Sequence, residues 1–214
     1  MTDASVSNNS DKNLEPTTSR TSSSLLERAR ASDQDAWCRI VHLYSPLIYG
    51  WCRGNGLQEA DATDVGQDVF RSVALNLAKF QHDERRGSFR GWLRIITRSK
   101  IVDFWRVKQK GHAAQGGSDA YECLQQLAAA ENETQDLALS EELQFLHRRA
   151  LEMIQSEFSE IHWRAFLRTA VDQQRASEVA QELGTTRDVV YNARSRILHR
   201  LREEFANVIE MDLE

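Results

Sequence analysis

Residues 175–201 read RASEVAQELGTTRDVVYNARSRILHRL, and this stretch does most to decide the fold. Ser177 can cap a short first helix that ends near Gly184, which readily adopts the left-handed backbone of a tight turn. Thr185 and Asp188 then stand at capping-box spacing, which predicts that a second helix starts here. Two short helices joined by a glycine turn are typical of a helix-turn-helix.

The second helix of this motif predicts DNA contact. Val190 and Ala193 would pack it against Val179 and Ala180 of the first helix. The residues left exposed are Thr186, Arg187, Tyr191, Asn192, Arg194, Ser195 and Arg196. Arginine and asparagine pair with guanine and adenine edges, while threonine and serine suit phosphates. An ordinary two-helix corner with solvated arginines is the alternative.

Charge is unevenly distributed along a chain whose net charge is -5. Residues 85–110 hold nine Lys or Arg against one Asp, and residues 187–202 hold five Arg against one Asp. Residues 131–160 hold eight acids against two bases. Since phosphate binding depends on local basic surface, the two basic segments indicate two DNA-contacting modules despite the acidic total.

Three amphipathic helices are predicted in the first half of the chain. The first follows a capping-box-like SDQD at 32–35 and contains Pro46, which should kink or divide it. The second begins near Ala60. The third is capped by Ser88 and runs to about Lys108, with its basic side chains outside and Phe89 and neighbouring apolar residues inside.

The pattern predicts an all-α chain of two helical domains. We expect a disordered tail over 1–22, an N-terminal domain over 23–108, a flexible linker over 109–136 and a C-terminal domain over 137–208. A short helix over 121–130 is possible within the linker. Helical periodicity resumes from Leu137.

Composition favours a cytoplasmic, non-catalytic protein. Cys38, Cys52 and Cys123 lack metal-ligand spacing and are expected to be idle thiols in a reducing cytosol. There is no apolar run long enough to span a membrane, and the first residues have no apolar signal core. No phosphate loop, nucleophile motif or His/Cys cluster is visible, so we expect no catalytic residue, metal or cofactor.

In their order and spacing, six motifs resemble those of RNA polymerase sigma factors of the extracytoplasmic-function type. They are DAW at 35–37, YSPLI at 44–48, DATDVGQDVF at 61–70, SFRGWLRII at 88–96, DFWR at 103–106 and YNARSRIL at 191–198. The resemblance extends over roughly residues 24 to 205 and implies sigma region 2 in the N-terminal domain and sigma region 4 in the C-terminal domain.

The resemblance also implies site residues. Core polymerase would be bound by Asp61, Asp64, Gln67, Asp68 and Phe70. The promoter −10 element would be recognised and melted by Arg85, Arg86, Arg90, Arg94, Arg98, Lys100, Trp105 and Arg106, with the loop 81–87 forming a base pocket. The exposed residues of the helix-turn-helix would read the −35 element.

The implied partners are core RNA polymerase, promoter DNA and an anti-sigma factor, and the free chain is expected to be a monomer with no membrane insertion. A stand-alone helix-turn-helix regulator with an N-terminal sensing or dimerisation domain is the alternative function. Such a regulator would need a ligand pocket or dimer seam in its first domain. It would not need an acidic helix beside a basic one.

Overall fold

The computed structural model describes residues 24–80, 88–112 and 135–209, and all regular structure within these ranges is helical. The all-α prediction is therefore confirmed for the described part of the chain. Its α-helices are α1 (Leu25–Arg30), α2 (Gln34–Gly54), α3 (Glu59–Asn76), α4 (Phe89–His112), α5 (Gln135–Ile154), α6 (Glu160–Phe166), α7 (Ala176–Glu182) and α8 (Arg187–Phe205). Single 3₁₀ turns follow α3 and α5, and a π-helical segment, Leu167–Val171, follows α6.

Side-chain caps begin α2 and α4. The Asp33 carboxylate accepts a hydrogen bond of 3.1 Å from the Ala36 amide, so Asp33 is the N-cap of α2. Ser32, where the expected capping box starts, instead adopts a left-handed φ of 62° between α1 and α2. The Ser88 hydroxyl accepts from the Gly91 amide at 3.1 Å, which confirms the predicted cap of α4.

Helix α2 is continuous through Pro46, so the predicted division of this helix is wrong. Proline has no amide hydrogen and leaves the carbonyl four residues earlier without its helical donor. The apolar side chains on both sides of Pro46 nevertheless lie on one buried face, and their packing offsets the loss of a single bond. They are Ile40, Leu43, Tyr44, Leu47 and Ile48.

Helices α1 to α4 form the N-terminal domain. One face of α3 is buried because its small apolar residues recur at helical spacing, as Ala62, Val65, Val69 and Val73. An aromatic cluster joins α2 to α4, with the Tyr44 and Phe89 ring centroids 5.4 Å apart. Helix α4 continues to His112, beyond the predicted end at Lys108.

Helices α7 and α8 occupy the predicted helix-turn-helix, with Gly184 at φ 62° in the turn between them. The two caps differ from the prediction. Helix α7 already begins at Ala176, so Ser177 lies inside it. Thr186 is the N-cap of α8 and accepts from the Val189 amide at 3.4 Å, because Thr185 is used to close the preceding turn onto Ala180.

The C-terminal domain, α5 to α8, packs directly against the N-terminal domain. Residues of α5 and α8 such as Leu146, Ile154 and Leu201 belong to the same buried cluster as the core of α2 to α4. The Tyr44 hydroxyl donates to the main-chain carbonyl of Val208 just after α8. The two halves therefore share one apolar core in this arrangement.

Several predictions concern residues outside the described ranges. They are the tail over 1–22, the short helix over 121–130, Cys123, and the central part of the predicted linker over 109–136. At its two ends, residues 109–112 and 135–136 are helical, since α4 reaches His112 and α5 begins at Gln135.

Candidate nucleic-acid and polymerase interface

One face of α3 carries the residues predicted to bind core polymerase. Asp64, Gln67 and Asp68 are exposed, whereas Asp61 and Phe70 are half-buried. The Asp61 carboxylate lies 3.3 Å from the Lys108 ammonium of α4. Phe70 packs edge-on against Trp37, with ring centroids 6.2 Å apart. The acidic surface thus centres on the exposed carboxylates, and Phe70 supports it from beneath.

The basic side chains of α4 were predicted to lie on the surface, but not all of them do. Arg106 is exposed and pairs with Asp103 at 3.1 Å, while Arg98 and Lys100 are half-buried. The prediction that Arg90 is exposed is wrong, because only 8% of its surface is accessible. It lies in the first turn of α4 beside the core residue Phe89, and its guanidinium pairs with the Glu142 carboxylate of α5 at 3.1 Å.

Arg94 and Trp105, which were also predicted to contact DNA, are only half-exposed. Arg94 pairs with Glu142 of α5, and its guanidinium lies 5.0 Å from the centre of the Trp51 ring. Trp105 is half-buried against the core, close to Gly56. Arg85 and Arg86, with the loop 81–87, lie outside the described residues.

An open cleft of about 230 Å³ lies between α3 and the first half of α4. Its aromatic wall is formed by Phe80 and Trp92, whose rings stack with centroids 4.8 Å apart. Ser72, Asn76, Lys79 and Ile96 line the rest, and most of the lining surface is apolar. A largely apolar cleft with a flat aromatic wall suits the face of a planar ring. From the sequence, Trp92 was predicted to lie in the core, and this cleft was not predicted.

The helix-turn-helix presents the face that its sequence predicts. All seven side chains predicted to read DNA are exposed, including Tyr191 with 58% of its surface accessible. The two helices are held together by small and β-branched residues of a separate cluster, namely Ala165, Val179, Ala180, Val190 and Ala193. Small residues allow the close crossing that turns the arginines of α8 outward.

Two residues missed by the sequence analysis connect the domains at this surface. The Trp51 indole donates to the Glu142 carboxylate at 2.7 Å, and Arg90 contacts the other carboxylate oxygen at 3.1 Å. Glu142 lies in the acidic segment over 131–160, which the sequence predicts to be solvated. Nothing in the local pattern distinguishes it from its acidic neighbours.

Thiol, metal and membrane sites add little to this surface. Burial raises the pKa of the Cys52 thiol to about 11, so this thiol stays protonated at neutral pH, whereas Cys38 is exposed. Among the residues described, His, Cys, Asp and Glu side chains form no group of three suited to a metal ion. Over the same ranges, every helix is too short or too polar to cross a membrane.

Comparison with known families finds a similarity confined to the first half of the chain. Residues 40–111, which include α2, α3 and α4 in whole or large part, match the family model described as Sigma-70 region 2. This region carries the acidic face of α3, the aromatic cleft and the basic helix α4. No curated protein matches the chain.

Proposed function

We propose that this chain is an RNA polymerase sigma factor of the extracytoplasmic-function type. In this role it binds core polymerase, recognises the −10 and −35 promoter elements and initiates transcription without catalytic residues of its own. The observation that carries the proposal is the match to Sigma-70 region 2, which coincides with an acidic helix beside a basic one.

The exposed acidic face of α3 is the surface that we assign to core polymerase. Asp64 and Asp68 stand one helical turn apart and are both exposed, which suits a basic partner helix. Helix-dipole stabilisation explains acids in the first turn of a helix, and Asp68 pairs with Arg71 at 2.7 Å, but Asp64 lies beyond the first turn. This position favours a binding role.

The cleft between α3 and α4 is the surface that we assign to the −10 element. Opening DNA requires an unpaired base to be held outside the stack, where aromatic faces and hydrogen-bond donors replace its neighbours. Phe80 and Trp92 supply the aromatic faces, and the Lys79 ammonium supplies a donor. The basic side chains of α4 would hold the backbone of the separated strand.

The exposed face of α8 is assigned to the −35 element. Recognition helices enter the major groove with their N-terminal residues, and here these include Arg187, Tyr191 and Asn192. We also retain an anti-sigma factor as a proposed partner, as the resemblance implies, and a monomeric free chain.

Binding to core polymerase tests the proposal directly. We expect a one-to-one complex on size-exclusion chromatography and runoff transcription from a cognate promoter. Asp64→Lys should weaken the complex, because it reverses a charge on the exposed face of α3 and leaves the core intact. Glu152→Lys makes the same charge change at an exposed position of α5 and should have little effect on core binding.

A chain that fails to bind core polymerase but binds one duplex operator tightly would contradict the sigma assignment. That result would instead support the stand-alone regulator. Equal losses in Asp64→Lys and Glu152→Lys would reject the α3 face as the polymerase surface.

A further inference from the structure

Arg30, the last residue of α1, donates to two main-chain carbonyls at the end of α3. Its Nε lies 3.3 Å from the Leu77 oxygen, and its Nη2 contacts the Phe80 oxygen. Leu77 begins the 3₁₀ turn Leu77–Lys79, and Phe80 is the C-cap of that turn. One guanidinium therefore bridges the two ends of the turn.

The end of a helix leaves carbonyls without helical donors, and the planar fork of an arginine can supply two of them at once. Phe80 has an extended backbone, so the chain leaves helical geometry at this residue. Inside the turn, the Phe80 amide donates to the Leu77 carbonyl at 3.2 Å, which is long for such a bond. Because Arg30 adds two contacts from outside, the position of the turn depends on α1 as well as on α3.

Helix α1 is itself held firmly in place. Leu25 and Leu26 are buried in the core that α2 to α4 share, and Ser24 and Glu27 form a capping box at the first turn. Arg30 therefore extends from a helix whose position the core determines.

The turn that Arg30 contacts carries two residues that line the cleft between α3 and α4, namely Lys79 and Phe80. The Phe80 ring stacks on Trp92 with centroids 4.8 Å apart and meets Phe89 edge-on at 5.4 Å. The flat aromatic wall is thus shared between the turn and α4. A displaced turn would change the shape of this wall.

We propose that Arg30 is a positioning residue for the capture of an unpaired base. It is not among the residues that line the cleft, and it acts by fixing the main chain of Leu77 and Phe80. The inference rests on the proposed function for a DNA base as the occupant of the cleft. The fixing of the turn rests only on the contacts above.

Fluorine NMR of the chain labelled with 5-fluorotryptophan tests the positioning step without DNA. The resonance of Trp92 is assigned with Trp92→Phe. Arg30→Gln should shift or broaden this resonance, because the Phe80 ring that stacks on Trp92 is no longer held by its main chain. A Trp92 resonance that is unchanged in Arg30→Gln would overturn the inference.

Arg53→Gln is the matched control. Arg53 also donates to a main-chain carbonyl, that of Leu57 at 2.7 Å, but this carbonyl lies just before the start of α3, at the opposite end from the cleft. The variant makes the same charge change and should leave the Trp92 resonance where it is. Equal shifts in Arg30→Gln and Arg53→Gln would reject a specific role for Arg30.

Fluorescence anisotropy then tests the base. The full-length chain is titrated against a fluorescein-labelled single-stranded DNA of mixed sequence and against an abasic strand of the same length. The wild-type chain should prefer the strand with bases about fivefold or more, because stacking on aromatic faces adds to the backbone contacts. Arg30→Gln should reduce this preference below about twofold and leave the affinity for the abasic strand nearly unchanged.

Two outcomes of this titration contradict the inference. A preference that Arg30→Gln retains in full would reject the role of Arg30. A wild-type chain that binds both strands equally would exclude a base as the occupant of the cleft, and the inference would be wrong with it. Arg53→Gln should keep the wild-type preference.

Arg30→Lys separates positioning from charge. Lysine keeps the positive charge, but its single ammonium does not reproduce a fork that spans two carbonyls. A positioning role therefore predicts that Arg30→Lys loses the preference for bases as Arg30→Gln does. If Arg30→Lys instead binds both strands like the wild type while Arg30→Gln binds both more weakly, Arg30 contacts a DNA phosphate and the inference is wrong.

Binding to core polymerase distinguishes this inference from the proposed function. Normal core binding by the wild-type chain, together with no effect of Arg30→Gln on the Trp92 resonance or the base preference, rejects only the positioning role. Failure of the wild-type chain to bind core, together with a clear Arg30→Gln effect, rejects the sigma assignment and leaves a base-binding cleft that Arg30 positions.

Discussion

Arg149 of α5 donates a hydrogen bond of 2.7 Å to the main-chain carbonyl of His42 in α2. This carbonyl lies four residues before Pro46, so it is the acceptor that the proline leaves without its helical donor. Arg149, a side chain of the other domain, supplies the missing hydrogen-bond donor. The proline thus creates an acceptor on the surface of α2 that the C-terminal domain uses for docking.

A double-mutant cycle tests this relationship. Arg149→Ala should lower the free energy of unfolding by about 1 kcal/mol, because the His42 carbonyl loses its donor. In a Pro46→Ala background the helical amide is restored, and the same change should cost less than about 0.5 kcal/mol. Urea unfolding measures both values. Arg148→Ala, an exposed neighbour, is the control, and an equal cost of Arg149→Ala in the two backgrounds would contradict the coupling.

A buried ion pair between α2 and α8 gives a second prediction. Arg39 Nε lies 2.5 Å from Glu204 Oε1, and the Glu204 side chain is only 2% exposed. Glu204→Gln leaves Arg39 without its counter-charge and should lower the free energy of unfolding by about 3 kcal/mol. Glu203→Gln, whose carboxylate contacts exposed His199, should cost less than about 0.5 kcal/mol. Similar losses in both urea titrations would reject the buried pair as a stabilising contact.

The glycine turn of the helix-turn-helix gives a third prediction. An added Cβ at Gly184 would meet no atom within 4 Å, so Gly184→Ala costs only backbone strain, about 1 kcal/mol. Gly184→Asn should cost less, because asparagine tolerates the left-handed region. Gly50→Ala, at an equally open position inside α2, should instead stabilise the chain by about 0.5 kcal/mol. Thermal unfolding decides the order, and a stabilising Gly184→Ala would exclude the left-handed turn.

The cap of α2 gives a prediction about pH. The hydrogen bond from Arg28, and then that from the Ala36 amide, hold the pKa of Asp33 below its usual range. A depressed pKa contributes stability that is complete above the unfolded value, about 4, and is lost as pH falls through the lower folded value. Asp33→Asn keeps a capping side chain but has no charge to lose. The melting temperature of the wild-type chain should therefore exceed that of the variant at pH 6, and this difference should shrink below about pH 4. A difference independent of pH would contradict the assignment.

Local sequence patterns predicted the longer helices within each domain, but not α1. Ser88 caps α4 because its hydroxyl accepts a hydrogen bond from the nearby Gly91 amide. Gly184 adopts the left-handed backbone of the turn because it has no side chain to clash. Both arguments need only residues a few positions apart. The caps at Asp33 and Thr186 were each misplaced by one residue, since either neighbour can supply an oxygen and the rest of the turn decides between them.

The contacts between the domains could not be predicted in this way. Glu142 stands in an acidic run and Arg90 in a basic run, and each run taken alone predicts a solvated face. Their pairing depends on the fold bringing α5 close enough for Glu142 to reach Arg90 of α4, and neither run taken alone determines this.

Helix α8 belongs to both cores at once. Its first half packs into the helix-turn-helix through Val190 and Ala193, and its second half reaches the shared core through Ile197, Leu201 and Phe205. A helix of 19 residues is a stiff rod about 28 Å long. Any rotation at the domain junction is therefore amplified at the far end of α8, so a small shift against α2 would change the distance between the two surfaces that we propose to contact DNA.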